Sequence, residues 1–380
     1  MNIAMIEPVC AYGGMDYYDY ALCKSLLKAG QHVKLYTSDA GPIVPDNIDV
    51  SETFKGVFGS NARILRAFQY ILAFRKSIAD ASRRQAKLAH FHFFDSRPIE
   101  KLAVWFANRW GLKTIATIHD IEPFHTIRSW KSISWLLSHL DGIIVHNEMS
   151  KIEISKFIPG QLHNIRVIPH GNYIHYIGKK IERRSARNNL NLPEGCPLIL
   201  FFGQIKKVKG LDIAIRAIAV LRKTVPDARL LIAGRLWKDE HANYKALVKE
   251  MGIEDNIIWH HGYIPQDKVD SYYYASDAIV LPYRRIYQSG VLLMAMSYGI
   301  PVIASDLPGM KEVVKNEENG LLFPVDDHEI LARTMARLIN NVSFAKRLGQ
   351  KGQDYVRIYH DWDTIGMKTT NFYKQVMGDK

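Results

Sequence analysis

Cysteine is scarce: the 380 residues carry three, Cys10, Cys23 and Cys196, odd in number and far apart. Such a set fits neither a disulfide framework nor the paired spacing of a metal site, and it points to a reducing, cytosolic setting. Long apolar runs are missing too. No stretch approaches the roughly 18 to 20 residues of a membrane span. The N-terminus "MNIAMIEPVCAYGG" enters a strand-like run with no basic segment before it, so a signal peptide is not expected. There is no low-complexity tract and no short-period repeat. The P-loop pattern G-x-x-x-x-G-K-[ST] is absent, and positions 12–20 do not supply G-x-G-x-x-G, which argues against an ATPase-type loop and a dinucleotide loop.

What is present is ample apolar content, 47% of residues, in a chain long enough for two domains. The formal net charge of +12 suits an anionic lipid, a nucleic acid or a phosphorylated ligand. The excess is concentrated. Residues 61–87, "NARILRAFQYILAFRKSIADASRRQAK", interleave Arg and Lys with Phe68, Tyr70, Leu72 and Phe74 at helical spacing. That composition fits a helix lying on an anionic membrane face, and equally a partly buried helix with a solvated basic side.

Short β-type runs alternate with amphipathic helix-length segments throughout, the pattern of βαβ units and parallel sheets. It begins at "NIAMIEP" and restarts at "PLILFFG" (197–203). The expected architecture is α/β, two Rossmann-like parallel-sheet domains facing across a cleft. Residues 1–177 form the first domain and the charged segment 178–195 a linker. Residues 196–360 form the second domain, and a helix within 361–380 crosses back to the first. Ligands of such sheets sit at the carboxyl ends of strands, so the loops there carry the chemistry.

Gly13 and Gly14 follow the first strand, where a missing Cβ permits a tight turn or a close approach to a ligand. In the second half, Gly203 ends a strand, and Lys206, Lys207, Lys209 and Gly210 precede a helix. The turn Gln288-Ser289-Gly290, with Arg284 and Arg285 before it, opens another. Small, polar or cationic residues at a helix start favour an anion, although capping alone also explains a Ser-Gly start. Two such starts in one sheet point to a diphosphate. In the first half His90, His92, His119, His146 and His170 fall at strand ends along one edge. Spacing alone does not make them metal ligands, and no metal is expected. The D-x-D at 361–363 lies outside a strand end and reads as structural.

The order "FFGQIKKVKGLDIAIRA", "LLIAG", "HHGYIPQDKVDSYYYASDAIVLPY", "AMSYGIPVIASDLPGMKEVV", "NGLLFPVDD" resembles the family 4 (group 1) retaining glycosyltransferases of the GT-B fold. It covers nearly all of 197–330, and the first half follows more loosely through "YGGMDYY", "HFHFFDS", "TIHD", "IIVHNE" and "VIPHGNY". The resemblance implies metal-independent transfer of a hexose from a nucleotide diphosphate sugar, UDP-glucose or similar, with retention. The acceptor would be a saccharide or lipid-linked saccharide, in polysaccharide or glycolipid assembly on the cytoplasmic face of a membrane. It further implies that Lys209, helped by Lys206, holds the diphosphate together with Gly203, Gln288, Ser289, Gly290 and Val291. The loop Gly262-Tyr263-Ile264 would read the base. His119 would lie near the donor sugar, and Gly14 would approach the phosphates or the acceptor.

One departure stands out. The family's two glutamates, in the pattern E-G-F-G-x-x-x-x-E, fall here at Ile286 and Met294. Neither side chain can accept a hydroxyl hydrogen bond as a carboxylate does. Arg284 and Arg285 are therefore also expected to reach the phosphates. A carboxylate nucleophile, if one is used, has Asp120 as its nearby candidate. The loss also keeps open a non-catalytic protein that binds nucleotide-sugar or glycan, and a nucleotide-sugar epimerase on the same fold. A nucleic-acid binder rests on charge alone, and no nucleic-acid partner is expected.

Overall fold

The computed structural model describes residues 1–10, 15–41, 44–57, 63–121, 130–236 and 241–378. The chain divides into two compact units, Met1–Gly171 with His360–Lys380, and Asn172–Tyr359. In the first unit the described elements are β1 (Asn2–Ile6), α1 (Asp16–Lys28), β2 (His32–Tyr36), β3 (Asp49–Ser51), α2 (Arg63–Arg83), β4 (Leu88–Phe93), α3 (Pro98–Arg109), β5 (Lys113–Ile118), α4 (Trp130–Ser138), β6 (Gly142–Val145), α5 (Glu148–Ser155) and β7 (Ile165–Val167). The strands form a seven-stranded parallel sheet in the order β3-β2-β1-β4-β5-β6-β7. The chain runs outward from β1 to β3 and then returns to β4, so the direction of winding switches between β1 and β4.

The second unit repeats the scheme with α6 (Arg183–Asn189), β8 (Leu198–Phe202), α7 (Leu211–Leu221), β9 (Arg229–Gly234), α8 (His241–Met251), β10 (Ile257–His261), α9 (Gln266–Ala275), β11 (Ala278–Leu281), α10 (Gly290–Tyr298), β12 (Val302–Ser305), α11 (Pro308–Lys311), β13 (Leu321–Phe323), α12 (His328–Asn340) and α13 (Val342–Tyr359). Its six parallel strands are ordered β10-β9-β8-β11-β12-β13, with the switch between β8 and β11. The unbroken apolar run "LILFF" of β8 follows from burial of both faces. Leu198 and Leu200 pack with Tyr272 and Leu292 on one side. Ile199 and Phe201 pack with Ile215, Ile218 and Leu331 on the other.

The segment expected as a linker, 178–195, is part of the second unit. It carries α6, and Ala186, Leu190 and Leu192 enter the core there. Arg187, 2% exposed, donates to the carbonyls of Ala275 and Pro193 at 3.0 and 3.2 Å and pairs with Asp277 at 3.1 Å. A buried guanidinium with each of its three nitrogens engaged makes a charged sequence behave as core.

The last helix, α14 (Trp362–Met377), belongs to the first unit. Asp361 caps it by accepting from the Thr364 N–H, and Asp363 pairs with Lys28 of α1 at 2.8 Å. Helix α2 buries Ala73, Phe74, Ser77, Ile78 and Ala81. Its opposite side exposes Leu65, Phe68 and Leu72 in the first turns and Arg75, Lys76 and Arg83 beyond them.

Candidate functional site

In the second unit, the loops following β8 and β11 flank the switch point and are tied to each other. The Arg284 N–H donates to the Val208 carbonyl at 2.9 Å. The Arg284 guanidinium donates to both oxygens of Asp212 at 2.8 and 2.7 Å, to Asp326 at 2.6 Å and to the Lys207 carbonyl at 3.3 Å. Burial raises the Asp212 carboxyl, but hydrogen bonds and charge from Arg284 outweigh it and hold the group below its usual range. Arg284, expected to reach a ligand, directs most of its donors to two carboxylates and braces the loops. Arg285 lies exposed beside it.

Gly210 makes the junction tight. Its φ is +68°, and a Cβ there would stand 1.9 Å from the Pro282 carbonyl oxygen. On the far side of the second loop, a Cβ on Gly309 would stand 2.5 Å from the Tyr287 carbonyl. Within this frame the Lys209 ammonium sits 3.8 Å above the ring of the buried Tyr283. Lys206 is the N-cap of the single turn that carries Lys209. Gly203 turns the chain out of β8 with φ +102°.

Ser289 caps α10, its Oγ accepting from the Leu292 N–H at 3.2 Å, which leaves its own hydroxyl proton to donate. Gly290 and Val291 occupy the first turn, whose N–H groups have no acceptor within the helix. Gln288 is half-buried. Ile286 and Met294 pack against the core, so the positions where glutamates were expected present no polar group. After β10, Gly262 adopts φ +135° and donates to the Gly234 carbonyl at 3.1 Å. Tyr263 beyond it is 80% exposed, and Ile264 returns to the core.

In the first unit the strand-end histidines do come together, around a tyrosine. The buried ring of Tyr18 has His92, His119, His146, His170 and Trp362 edge-on at centroid distances of 5.4, 4.8, 5.6, 5.0 and 5.2 Å. His119 stacks on Phe94, and its Nδ1 lies 3.3 Å from His146 Nε2. Burial, then the neighbouring His146, hold His119 well below its usual pKa, so it is a neutral imidazole at pH 7. Asp120 adjoins it, half-buried, in the same loop. His90 is engaged with Tyr373 and Thr117 at 2.6 and 2.8 Å. Gly13 and Gly14 lie outside the described residues.

Two residues that sequence reasoning missed organise these sites. Tyr283 ends the run "DAIVLPY" at a strand's carboxyl end, a position that could have drawn attention. Tyr18 gives no local signal, because its partners lie far along the chain.

Comparison with known proteins bears on both units. A family model described as "Glycosyl transferases group 1" matches residues 182–355, and one described as "Glycosyltransferase Family 4" matches residues 12–172. The D-inositol 3-phosphate glycosyltransferase of Xylanimonas cellulosilytica is 24% identical over 352 residues, covering 84% of this chain and 81% of that protein. The protein of the same description from Nocardioides sp. is 22% identical over 403 residues, covering 97% and 86%. Among solved structures, sucrose-phosphate synthase from Thermosynechococcus elongatus superposes with a TM-score of 0.78 at 23% identity over 100% of both chains. Anabaena Alr3699/HepE, solved in complex with UDP-glucose, gives a TM-score of 0.78 at 15% identity over 99% of this chain and 100% of that one. At these identities the structural likeness establishes the GT-B fold.

Proposed function

The chain belongs to the group 1, family 4 glycosyltransferases of the GT-B fold, and from that premise we infer that it transfers a hexose from a UDP-sugar such as UDP-glucose to a saccharide or lipid-linked saccharide, with retention. The observation that carries this reading is the pair of loops locked together at the switch point of the second unit. They put the Lys209 ammonium and the first turn of α10 on adjoining connections. A cation and a helix N-terminus side by side suit a diphosphate, and the same charge stabilises the leaving nucleotide as the glycosidic bond breaks. Lys206, Gly203, Gln288, Ser289, Gly290 and Val291 complete the diphosphate site, and Gly262, Tyr263 and Ile264 take the base.

In the transfer, the acceptor oxygen attacks the anomeric carbon on the face that UDP leaves, and its proton passes to the departing phosphate oxygen. That step uses no carboxylate nucleophile and no metal, which suits a chain with Ile286 and Met294 at the two positions of the family's glutamate pattern. Gln288 and the free proton of Ser289 then meet the sugar hydroxyls. His119, neutral and hydrogen-bonding, serves the reacting sugar. The acceptor is handled by the first unit at an anionic membrane face reached through α2, on the cytoplasmic side. Among the described residues no helix is long and apolar enough to cross a membrane.

A second reading, a donor-binding protein without turnover, draws on the core packing of Ile286 and Met294. One experiment separates the two. UDP, GDP, ADP and their sugars are titrated calorimetrically without metal, and UDP-glucose consumption is followed with and without saccharide acceptors. UDP binding with glycoside formation is expected. Binding with neither transfer nor donor hydrolysis favours the second reading, and absence of all nucleotide binding overturns both.

A further inference from the structure

The switch point of the first unit holds a polar cluster that the transfer reaction does not use. Glu7 follows β1, Cys10 ends the described part of the loop after it, and Asp19 lies in α1. All three are 0% exposed. One oxygen of Glu7, the Cys10 sulfur and one oxygen of Asp19 lie within 4.8 Å of one another. Two carboxylates removed from water need a cation or a proton. Among the described residues no Lys or Arg pairs with either.

A second, independent observation points to a ligand. His92, on the adjacent strand β4, is buried, and its Nδ1 stands 3.2 Å from Asp19 Oδ1. Yet neither ring nitrogen of His92 is satisfied by a hydrogen bond, and among the described residues Asp19 has only Glu7 and Cys10 to share a proton with. That distance matches two ligands on one ion, about 3.3 Å for bonds of about 2.0 Å in a tetrahedron. Glu7 is already oriented, since its carboxylate accepts the N–H groups of Val9, at 2.9 Å, and of Cys10.

We propose that Glu7, Cys10, Asp19 and His92 form a buried structural zinc site that ties β1, α1 and β4 together. A thiolate among the ligands excludes magnesium and calcium, and mixed sulfur, nitrogen and oxygen ligation with four protein groups suits Zn²⁺. Binding displaces the thiol proton and any proton held between the carboxyls, and releases them to solvent. The ligand atoms of Glu7, Cys10 and Asp19 must draw together by about 1 Å to reach tetrahedral spacing, and His92, which reaches Asp19 but stands outside that group of three, must swing toward the other two. The site uses none of the residues assigned to the transfer, so it leaves the metal-free step as described.

The test uses the full chain loaded with Zn²⁺ or Co²⁺, gel-filtered, and measured by metal analysis and near-ultraviolet absorption. About one tightly held equivalent, a thiolate-to-cobalt charge-transfer band, and a thermal midpoint lowered by chelator are expected. Cys10→Ser abolishes the band, while Cys196→Ser at the surface retains it. A wild-type protein without the band, or a band unchanged in Cys10→Ser, overturns the proposal and leaves Glu7 and Asp19 as a proton-sharing pair. Should Cys10→Ser fail to fold, the wild-type and Cys196→Ser spectra still decide. UDP titration of the same samples keeps the readings apart. No band with UDP binding intact removes only the zinc site, and a band without UDP binding removes only the donor site.

Discussion

At the scale of single residues, the proposed donor site rests on what touches Lys209 and Gly210. A charge-assisted contact contributes about 1.5–3 kcal/mol, so Lys209→Ala should weaken UDP binding about 10- to 100-fold in a calorimetric titration. Tyr283→Phe keeps the ring under the ammonium and should bind UDP nearly as wild type. Tyr283→Leu removes the ring and should lose part of that affinity. Equal affinities in all three variants would place the diphosphate elsewhere. Gly210→Ala forces a side chain into the left-handed region and onto the Pro282 carbonyl, which should cost more than about 2 kcal/mol of stability. Gly195→Ala, in open space, is the control and should be neutral in the same urea series. The lysine cluster and the Ser-Gly helix start were legible because each is local in the sequence. The clamp of Arg284 by Asp212 and Asp326 was not, since it joins residues 72 and 42 positions apart and turns an apparent ligand group into a brace.

At the scale of elements, α2 carries a surface that the fold leaves unused. Leu65, Phe68 and Leu72 are 49%, 58% and 37% exposed, at i, i+3 and i+7, with Arg75 and Lys76 in the next turn. Apolar and basic residues on one stripe suit the boundary of an anionic bilayer. The full chain should co-sediment with anionic vesicles and not with neutral ones, and release as salt rises. Phe68→Asn should weaken that binding about tenfold or more, given about 1.5–3 kcal/mol for a buried aromatic side chain. Binding that ignores lipid charge would count against the assignment. The two sheets were readable from alternating apolar runs, because strands buried on both faces have little choice of composition. The nature of 178–195 was not. Its charges predict a linker, and only tertiary partners for Arg187, contributed by residues near 275 and 194, make it a packed helix.

At the scale of the whole molecule, the ring cluster of the first unit sets how the protein responds to acid. Burial chiefly lowers His146 to about 4 and His170 to about 3, and lowers His360 as well. His146 faces His119, His170 and Tyr18, and the His170 ring faces His146, Tyr18 and Trp362, with no carboxylate among them. These rings stay neutral in the folded protein while the unfolded chain takes up protons near pH 6.5. Their contribution to stability is therefore complete above pH 6.5 and is lost as pH falls toward 3–4. Each ring adds a slope of about 1.4 kcal/mol per pH unit within that window. Glu100 acts in the opposite sense. Burial raises it to about 7, so its contribution is complete below the usual carboxylate range and is lost as pH rises through 7. Burial raises Glu7, Asp16 and Asp19 as well, so among the described residues seven lowered histidines stand against four raised carboxyls, which leaves a net loss on acidification, added to the self-repulsion of a chain already at +12. Because the chain has two units, the transition is best followed by pulse proteolysis of the fragment containing β6, in urea, from pH 7 to pH 4. The urea midpoint should fall steadily below pH 6.5. His146→Gln and His170→Asn should each flatten that fall, whatever they do to stability at pH 7. A midpoint independent of pH between 6.5 and 4 would mean that the rings admit protons, or water, in the folded state.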